Sequence, residues 1–222
     1  MSVARRLLIV VGLKREARLA AQGGDTVCSG GDVGLLERRL SRLNPDDISG
    51  VVSFGLAGGL DPALAPGDLA LAQSVASSRG LFGADAALTD ALAAALKGVG
   101  LRLCDGVFAG VDDAVLTPEG KAALRAQTRA VAVDMESHVA ARYAAACGLP
   151  FAGLRAVSDP AGRALPKLAA QALTPDGGVH YGRVIAGLAR SPGDLGALME
   201  AGRDSSAAFA TLKRAGRALA AL

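Results

Sequence analysis

The sequence predicts an α/β protein: one domain built on a doubly wound sheet. Short apolar runs without polar–apolar alternation recur along the chain, as in strands whose two faces are both covered. Helical patterns separate these runs, and this alternation is typical of a single wound sheet. Of the 222 residues, 51% are hydrophobic and only 3% are aromatic. This composition favours a core of Ala, Leu and Val in which helices pack closely on the sheet.

Strands are expected at six apolar runs: Leu7–Val11, Val51–Phe54, Leu69–Val75, Val107–Ala109, Val131–Val133 and Phe151–Val157. Helices are expected between them at Leu35–Leu43, at Asp85–Lys97, from Thr117 onward and at Glu136–Cys147. Thr117 followed by Pro118 predicts an N-cap with a proline in the first helical turn. Gly148 and Pro150 are expected to end the fourth helix.

The last third of the chain has a different pattern. Residues 158–178 are rich in Pro and Gly and are expected to form a loop region. Only helical patterns follow, so residues from about 179 to 222 are expected to form a helical segment packed on the same domain. Residues 1–222 are therefore predicted to be a single domain. A domain of this size buries about 70% of the unfolded chain's surface and needs no disulfide or metal for stability.

Charge and composition argue against several classes of protein. The formal net charge is +3 and the basic residues are scattered, so nucleic acid is not an expected partner. Cys28, Cys104 and Cys147 form no CxxC pair and are typical of reduced thiols in a cytoplasmic protein. The apolar run Leu7–Leu13 is too short for a membrane span and is followed at once by cations. A buried strand is expected there rather than a signal peptide.

Ligands of a wound sheet bind beyond the carboxyl ends of its strands, so the residues after each apolar run are candidates for a site. After the first run, Gly12 opens a turn and helix start whose backbone N–H groups, together with Arg15 and Arg18, suit an anion. Ser29 and Gly30 stand in a second glycine-rich turn that would let the backbone approach a phosphate. A solvated helix start and a plain turn remain the alternatives at these two places.

Further glycines and two carboxylates follow the later runs. Gly55, Gly58 and Gly59 come after the second run, where the backbone must pass close to a ligand or a neighbouring strand. Glu136 and Asp159 each follow a predicted strand. Two acids at neighbouring strand ends can divide a glycosyl transfer, one holding sugar hydroxyls while the other protonates the leaving base. Ordinary helix caps and loop acids are the alternative.

Four stretches together resemble the purine nucleoside phosphorylase/uridine phosphorylase superfamily, in particular its methylthioadenosine/S-adenosylhomocysteine nucleosidase branch. They are LLIVVGLKREAR, VVSFGLAGGLDPALAPGDLALA, VAVDMESHVAARYAAACGLPFAGLRAVSD and, more weakly, CSGGDVG, within residues 6 to about 160. The combination of AGGL…PGD with DMES…RAVSD carries the resemblance. It implies a three-layer α/β sandwich whose doubly wound sheet is mixed and curved.

The resemblance also implies roles for single residues. Glu136 is implied to accept hydrogen bonds from the ribose 2′- and 3′-hydroxyls, with Met135 against the sugar. Asp159 is implied to protonate or hydrogen-bond the departing purine at N7, with Ser158 beside it. The glycine-rich turn after the second run is implied to lie near the nucleophile. Arg155 is expected to pair with a carboxylate near the site.

The nucleophile depends on the branch. The nucleosidases carry a glutamate near the first turn that activates water, and an alignment on Gly12 puts Ala17 at that position, with Glu16 one residue before it. Cations without that carboxylate suit phosphate, so phosphorolysis is expected, with inorganic phosphate as co-substrate and no cofactor. A shift of one residue restores Glu16 to the water site, and hydrolysis of methylthioadenosine or S-adenosylhomocysteine is the alternative. The expected phosphate ligands are Gly12, Arg15, Arg18, Ser29, Gly30 and Gly55.

The segment around Asp159 resembles the hopanoid-associated phosphorylases of bacteria through SDPA, ALP and PDGG. That resemblance implies adenosylhopane as the substrate, cleaved with phosphate to adenine and phosphoribosylhopane. The short stretch between Val75 and Asp85 would leave the 5′ side of the ribose open to a bulky group. Val115, where nucleosidases carry Phe, would do the same, and Gly58 and Val115 are both expected to line the substrate. A binding module without catalysis is a third alternative, against which the presence of both acids argues.

The expected partners are a small nucleoside and phosphate. The resemblance implies a homo-oligomer, at least a dimer, and a lipid substrate leaves peripheral membrane contact open. No metal is expected, because His138 and His180, the two histidines, lack a ligand pattern.

Overall fold

The computed structural model describes residues 5–165 and 195–222. The strands described there are β1 (Arg6–Val11), β2 (Asp25–Cys28), β3 (Ile48–Gly59), β4 (Leu69–Ser77), β5 (Gly80–Gly83), β6 (Leu103–Gly110), β7 (Ala132–Asp134) and β8 (Phe151–Asp159). The helices are α1 (Lys14–Ala20), α2 (Val33–Leu40), α3 (Ala86–Lys97), α4 (Pro118–Thr128), α5 (Ser137–Cys147) and α6 (Leu195–Leu219), with a 3-10 turn at Pro45–Asp47.

The strands form one mixed sheet in the order β2-β1-β3-β7-β6-β4-β5, and β8 pairs with both β3 and β4. β3 is parallel to β1 and β8 but antiparallel to β7. The pairs β3–β8, β8–β4, β4–β6, β6–β7 and β7–β3 close five strands into a ring. The predicted fold class, a doubly wound, mixed and curved sheet, is confirmed, and the closure of the ring is the form its curvature takes.

Helices cover both faces of the sheet, which explains the unbroken apolar runs. On β1, Leu8 and Val10 pack in the core with α2 and α5, while Ile9 and Val11 pack in the core with α1, α3 and α6. Because alternate side chains of a strand point to opposite faces, both sets must be apolar when both faces are covered.

The six predicted strands and the four predicted helices are present, but several of their ends differ. β3 extends five residues beyond the predicted Phe54 end, β6 begins four residues before the predicted Val107 start, and α2 begins and ends earlier than predicted. Neither β2 nor the hairpin strand β5 was among the predicted runs. The predicted cap is confirmed, since the Thr117 hydroxyl accepts from the backbone N–H of Gly120 at 3.1 Å. The predicted helical segment 179–222 is described only from residue 195, and residues 179–194 lie outside the described residues. Within the described ranges, no helix is both long and apolar enough to cross a membrane.

The C-terminal helix α6 packs closely on α1. A Cβ atom on Gly216 would overlap the backbone carbonyl oxygen of Leu19, so the two helices can approach only where Gly216 lacks a side chain. The Thr211 hydroxyl also donates to the Gly67 carbonyl at 2.8 Å. Thus α6 is fixed to the body of the domain by backbone contact as well as by apolar packing.

Replacing Gly216 with Ala is expected to destabilise the protein by about 1–3 kcal/mol, because a backbone carbonyl cannot give way as a flexible side chain can. Gly202→Ala in the same helix is the matched control, since a Cβ there meets nothing within 4 Å. That control should stabilise the protein by about 0.5–1 kcal/mol. Urea denaturation of both variants checks the expectation, and equal effects at the two glycines would contradict it.

Candidate active site

Three buried carboxylates come from three different parts of the sheet. Glu16 lies on α1 just after β1, Glu136 lies between β7 and α5, and Asp159 ends β8; they are 2%, 6% and 6% exposed. Because β7 runs antiparallel to β3, with Val133 opposite Gly58, the chain after β7 turns back along β3. This brings Glu136 towards the turn that follows β1.

Glu16 is held by backbone N–H groups. Its Oε2 accepts from Gly12 and Leu13, and its Oε1 accepts from Leu56, all at 2.8 Å. Glu16 is the third residue of α1, a position from which a side chain folds back over the helix start. Burial, with a smaller contribution from the negative charge of Glu136, raises the pKa of Glu16 to about 7, although Arg155 and the N–H donors oppose the rise. Glu16 is therefore poised to exchange a proton near neutral pH.

Glu136 sits between a hydroxyl and a guanidinium. Its Oε1 accepts from the Ser29 hydroxyl at 2.7 Å, and its Oε2 accepts from Arg155 at 3.3 Å. Burial raises the pKa of Glu136 and the charge of Arg155 opposes that rise. Each carboxylate oxygen has a further lone pair, so Glu136 retains acceptor capacity for ligand hydroxyls.

Arg155 is the cation at the centre of this cluster and is 1% exposed. Its guanidinium lies 3.1 Å from Asp134, donates to the Ser53 hydroxyl at 2.6 Å and reaches the Leu56 carbonyl at 3.1 Å. The expectation that Arg155 pairs with a carboxylate near the site is confirmed. Glu16, Glu136 and Asp134 thus share one buried cation, which leaves the cluster with an excess of negative charge when all three are ionised.

Each carboxylate of the site lies against a predicted glycine. A Cβ atom would lie 3.0 Å from Glu136 Oε1 if placed on Gly12 and 2.7 Å from the Glu16 carboxyl if placed on Gly55. A Cβ on Gly58 would lie 3.1 Å from Asp159 Oδ2. The glycines are therefore needed because the backbone passes directly beside the acids.

Asp159 is paired with a lysine that the sequence analysis did not single out. The Lys121 ammonium lies 2.5 Å from Asp159 Oδ2, and the Ser158 hydroxyl donates to Asp159 Oδ1 at 2.7 Å. Burial raises the pKa of Asp159, and the positive charge of Lys121 and its hydrogen bond work against that rise. Burial, which penalises the charged carboxylate, is the larger effect, so the pKa of Asp159 lies above its usual value.

The structure does not bring the predicted anion ligands together. The guanidinium of Arg15 lies 3.9 Å over the Phe209 ring of α6, and Arg18 is exposed and forms no hydrogen bond or ion pair within the described residues. Neither belongs to the buried cluster. The Gly30 N–H donates to the Gly12 carbonyl at 2.9 Å, and the Ser29 hydroxyl is engaged by Glu136. The Gly12 N–H, the Gly30 N–H and the Ser29 hydroxyl are therefore already used by the protein.

The structure places Glu16, rather than its neighbour Ala17, in the buried cluster. Ala17 packs in the apolar core between the sheet, α1 and α6, whereas Glu16 enters the site. The two side chains diverge because successive helical residues are about 100° apart. The four-residue spacing from Gly12 to Glu16 was the signal that could have identified it. Lys121 had no comparable signal, since it is 38 residues from its partner.

The remaining predicted residues lie around the acids. Met135 is half-buried between Asp134 and Glu136, and its contact with a sugar stays a prediction. Val115 packs with the small apolar cluster that contains Leu60 and Val133. No group of three His, Cys, Asp or Glu residues in ranges 5–165 and 195–222 is arranged to hold a metal ion.

The sequence profile of the Phosphorylase superfamily matches residues 35–178, more than half of the chain. The chain therefore belongs to the Phosphorylase superfamily. No significant relative was found among curated protein sequences.

Solved structures agree in fold with this assignment. A 5′-methylthioadenosine/S-adenosylhomocysteine nucleosidase of Campylobacter jejuni has a TM-score of 0.66 and 18% identity, covering 82% of this chain and 95% of its own. A futalosine hydrolase mutant of Helicobacter pylori has a TM-score of 0.64 and 19% sequence identity, and the match covers 72% of this chain and 87% of that protein. A 5′-methylthioadenosine/S-adenosylhomocysteine nucleosidase of Colwellia psychrerythraea in complex with adenine has a TM-score of 0.64 and 20% sequence identity. That match covers 72% of this chain and 84% of the nucleosidase. At these identities the likeness establishes the fold.

Arg155→Met is expected to destabilise the protein by about 3–5 kcal/mol, because it leaves buried carboxylates without their cation. Without Arg155, the folded-state pKa values of Glu16 and Glu136 rise further, since its charge lowers both. The folded variant then binds more protons than the unfolded chain, so its stability falls as pH rises. Urea denaturation should show a larger deficit at pH 8 than at pH 5.

Arg125→Met is the matched control, because Arg125 pairs with Asp61 where both side chains are partly exposed. It should lower stability by only about 0–1 kcal/mol. A pH-independent loss in Arg155→Met would contradict the role given to the buried charges.

Proposed function

We propose that this protein hydrolyses the N-ribosyl bond of a purine nucleoside, with a water molecule that Glu16 activates. The observation that carries the proposal is the carboxylate of Glu16 on the N–H groups of Gly12, Leu13 and Leu56. Backbone donors at a helix start suit an anion, and here the protein supplies that anion itself. A phosphate dianion would lose these donors and would also face the negative charge of the buried cluster.

The names of the similar structures support the same choice. The Campylobacter and Colwellia proteins are nucleosidases, the Helicobacter protein is a futalosine hydrolase mutant, and the Colwellia structure holds adenine. Water as nucleophile and adenine as the base are consistent with these names.

The acids divide the reaction between the sugar and the base. As the bond from C1′ to the purine lengthens, positive charge develops on the ribose and negative charge on the base. Glu136 is placed to accept hydrogen bonds from the ribose hydroxyls, with its charge towards the developing cation. Asp159 gives its proton to N7, and the electron pair of the broken bond stays with the base. Water attacks C1′ while its proton passes to Glu16, whose pKa of about 7 suits a base at neutral pH.

Phosphorolysis of adenosylhopane stays a prediction from the sequence. The geometry of Glu16 favours water over phosphate, and the identity of the 5′ group is a separate question that a substrate panel answers. The panel should include methylthioadenosine, S-adenosylhomocysteine and adenosylhopane.

Adenine release is expected to proceed at the same rate with and without inorganic phosphate, because Glu16 already occupies the backbone N–H groups of Gly12, Leu13 and Leu56. The measurement is the rate of adenine formation from each nucleoside in phosphate-free buffer and in buffer with phosphate. Release that requires phosphate would establish the phosphorylase reaction instead. If no nucleoside in the panel releases adenine, the protein is a binding module without catalysis.

Glu16→Gln is expected to lower kcat/KM by about 10²- to 10⁴-fold, the contribution of a general base. In the wild type, kcat/KM should rise with pH through about 7, because Glu16 must lose its proton to accept one from water. The rise should vanish in the variant. Glu119→Gln is the matched control, since Glu119 is also in the first turn of a helix but is exposed.

The control should keep both the wild-type rate and the wild-type pH profile. A Glu16→Gln protein that is folded by circular dichroism and as active as the wild type would rule out the role of Glu16.

A further inference from the structure

A buried lysine, Lys121, contacts Asp159, the proposed proton donor to the base. Lys121 is 1% exposed and lies in the second turn of α4, one turn after the Thr117 cap. Its ammonium contacts Asp159 Oδ2 at 2.5 Å and the backbone carbonyls of Asp159, Pro160 and Arg163 at 3.2, 3.0 and 3.2 Å. The turn that follows β8 is thus wrapped around one ammonium group.

Three of these four acceptors do not depend on the protonation of Asp159. The carbonyl oxygens keep their partial negative charge whether the carboxyl group is neutral or ionised, so they hold the ammonium in place in both states. Burial disfavours a charged lysine, and the ring of carbonyl oxygens offsets that penalty. Lys121 is therefore a fixed positive charge beside the acid rather than a mobile surface cation.

The opposite side of the pair is closed by the sheet. A Cβ on Gly58 would lie 3.1 Å from Asp159 Oδ2 and 3.6 Å from Lys121 Cε, so β3 packs directly on both groups. Asp159 Oδ1 is the oxygen that does not contact Lys121, and it accepts from the Ser158 hydroxyl. The carboxyl group is consequently fixed with one oxygen on the ammonium and the other available to carry a proton.

We propose that Lys121 is the positioning residue of the proton donor, orienting Asp159 and stabilising the carboxylate that remains when its proton passes to the departing base. The inference rests on the proposed function. In this step the O–H bond of Asp159 breaks, an N–H bond forms at N7, and the electrons of the C1′–N bond stay with the base. Lys121 keeps its three protons throughout, so an ion pair between Lys121 and the ionised Asp159 is the state after transfer.

A structural role alone is the rival explanation, because Lys121 also joins α4 to the turn after β8. The turn has a second anchor, since the Arg163 guanidinium forms an ion pair with Asp204 of α6. Removal of the ammonium should therefore leave the turn attached to the domain. A test must distinguish proton donation from folding, and the choice of leaving group provides that distinction.

The experiment compares two substrates, a purine nucleoside and p-nitrophenyl riboside, whose leaving group is stable as an anion and needs no proton. Lys121→Met should lower kcat for the purine nucleoside by about 100-fold, within the range of general acid catalysis. The KM for that nucleoside and the kcat for p-nitrophenyl riboside should stay within about threefold of wild type. Lys121→Arg, which keeps the charge, should recover most of the lost purine turnover.

Lys97→Met is the matched control, because Lys97 is an exposed lysine in the last turn of α3. It should leave both activities unchanged. Should Lys121→Met fail to fold, Lys121→Gln carries the same comparison, since its amide still donates to the carbonyls but has no charge. Equal losses on both substrates, or no loss on either, would overturn the inference.

A readout without turnover separates this inference from the proposed function. The carboxyl ¹³C signal of Asp159 should titrate at higher pH in Lys121→Met than in wild type, because the ammonium favours the charged carboxylate. A wild-type protein that cleaves neither substrate would refute the proposed function. The titration would still show whether the Lys121 ammonium stabilises the ionised carboxylate of Asp159. An unchanged titration would reject that role of Lys121.

Discussion

The site depends on placing carboxylates inside the domain, where an ionised acid needs compensating donors. Glu16 obtains them from three backbone N–H groups, Glu136 from Ser29 and Arg155, and Asp159 from Lys121. The backbone also passes directly beside each acid, and glycines stand there because a Cβ atom would lie only 2.7–3.1 Å from the three carboxyl groups. The closed ring of strands then follows as the arrangement that brings the ends of β3, β7 and β8 together around these acids.

The same charges support water as the proposed nucleophile. In the described part of the chain, Arg155 is the cation that lies among Glu16, Glu136 and Asp134. The ammonium of Lys121 instead binds Asp159 and the turn after β8. A cluster with excess negative charge suits a neutral nucleophile and a developing cation on the sugar, and it disfavours a second anion. Burial is the main cause of the raised pKa values of Glu16 and Glu136, and repulsion between the acids adds a smaller contribution.

Much of the fold could be predicted from the sequence, because two covered faces leave unbroken apolar runs such as Phe151–Val157. Glu136 and Asp159 could also be located, since the ends of buried strands are where ligands bind. The sequence left Glu16 and Ala17 as alternatives, because only the orientation of α1 decides which of two neighbouring side chains enters the buried cluster. Lys121 could not be found, since its pairing depends on how α4 crosses the turn after β8. Arg15 was misplaced because α6, with Phe209, provides a partner almost 200 residues away.

The most direct test of the account is the fate of labelled water during turnover. In H₂¹⁸O with inorganic phosphate present, the account predicts that the released pentose carries one ¹⁸O atom, at C1, and that mass spectrometry detects no pentose 1-phosphate. Formation of pentose 1-phosphate without ¹⁸O would contradict it, because the nucleophile would then be phosphate rather than a water molecule held by Glu16.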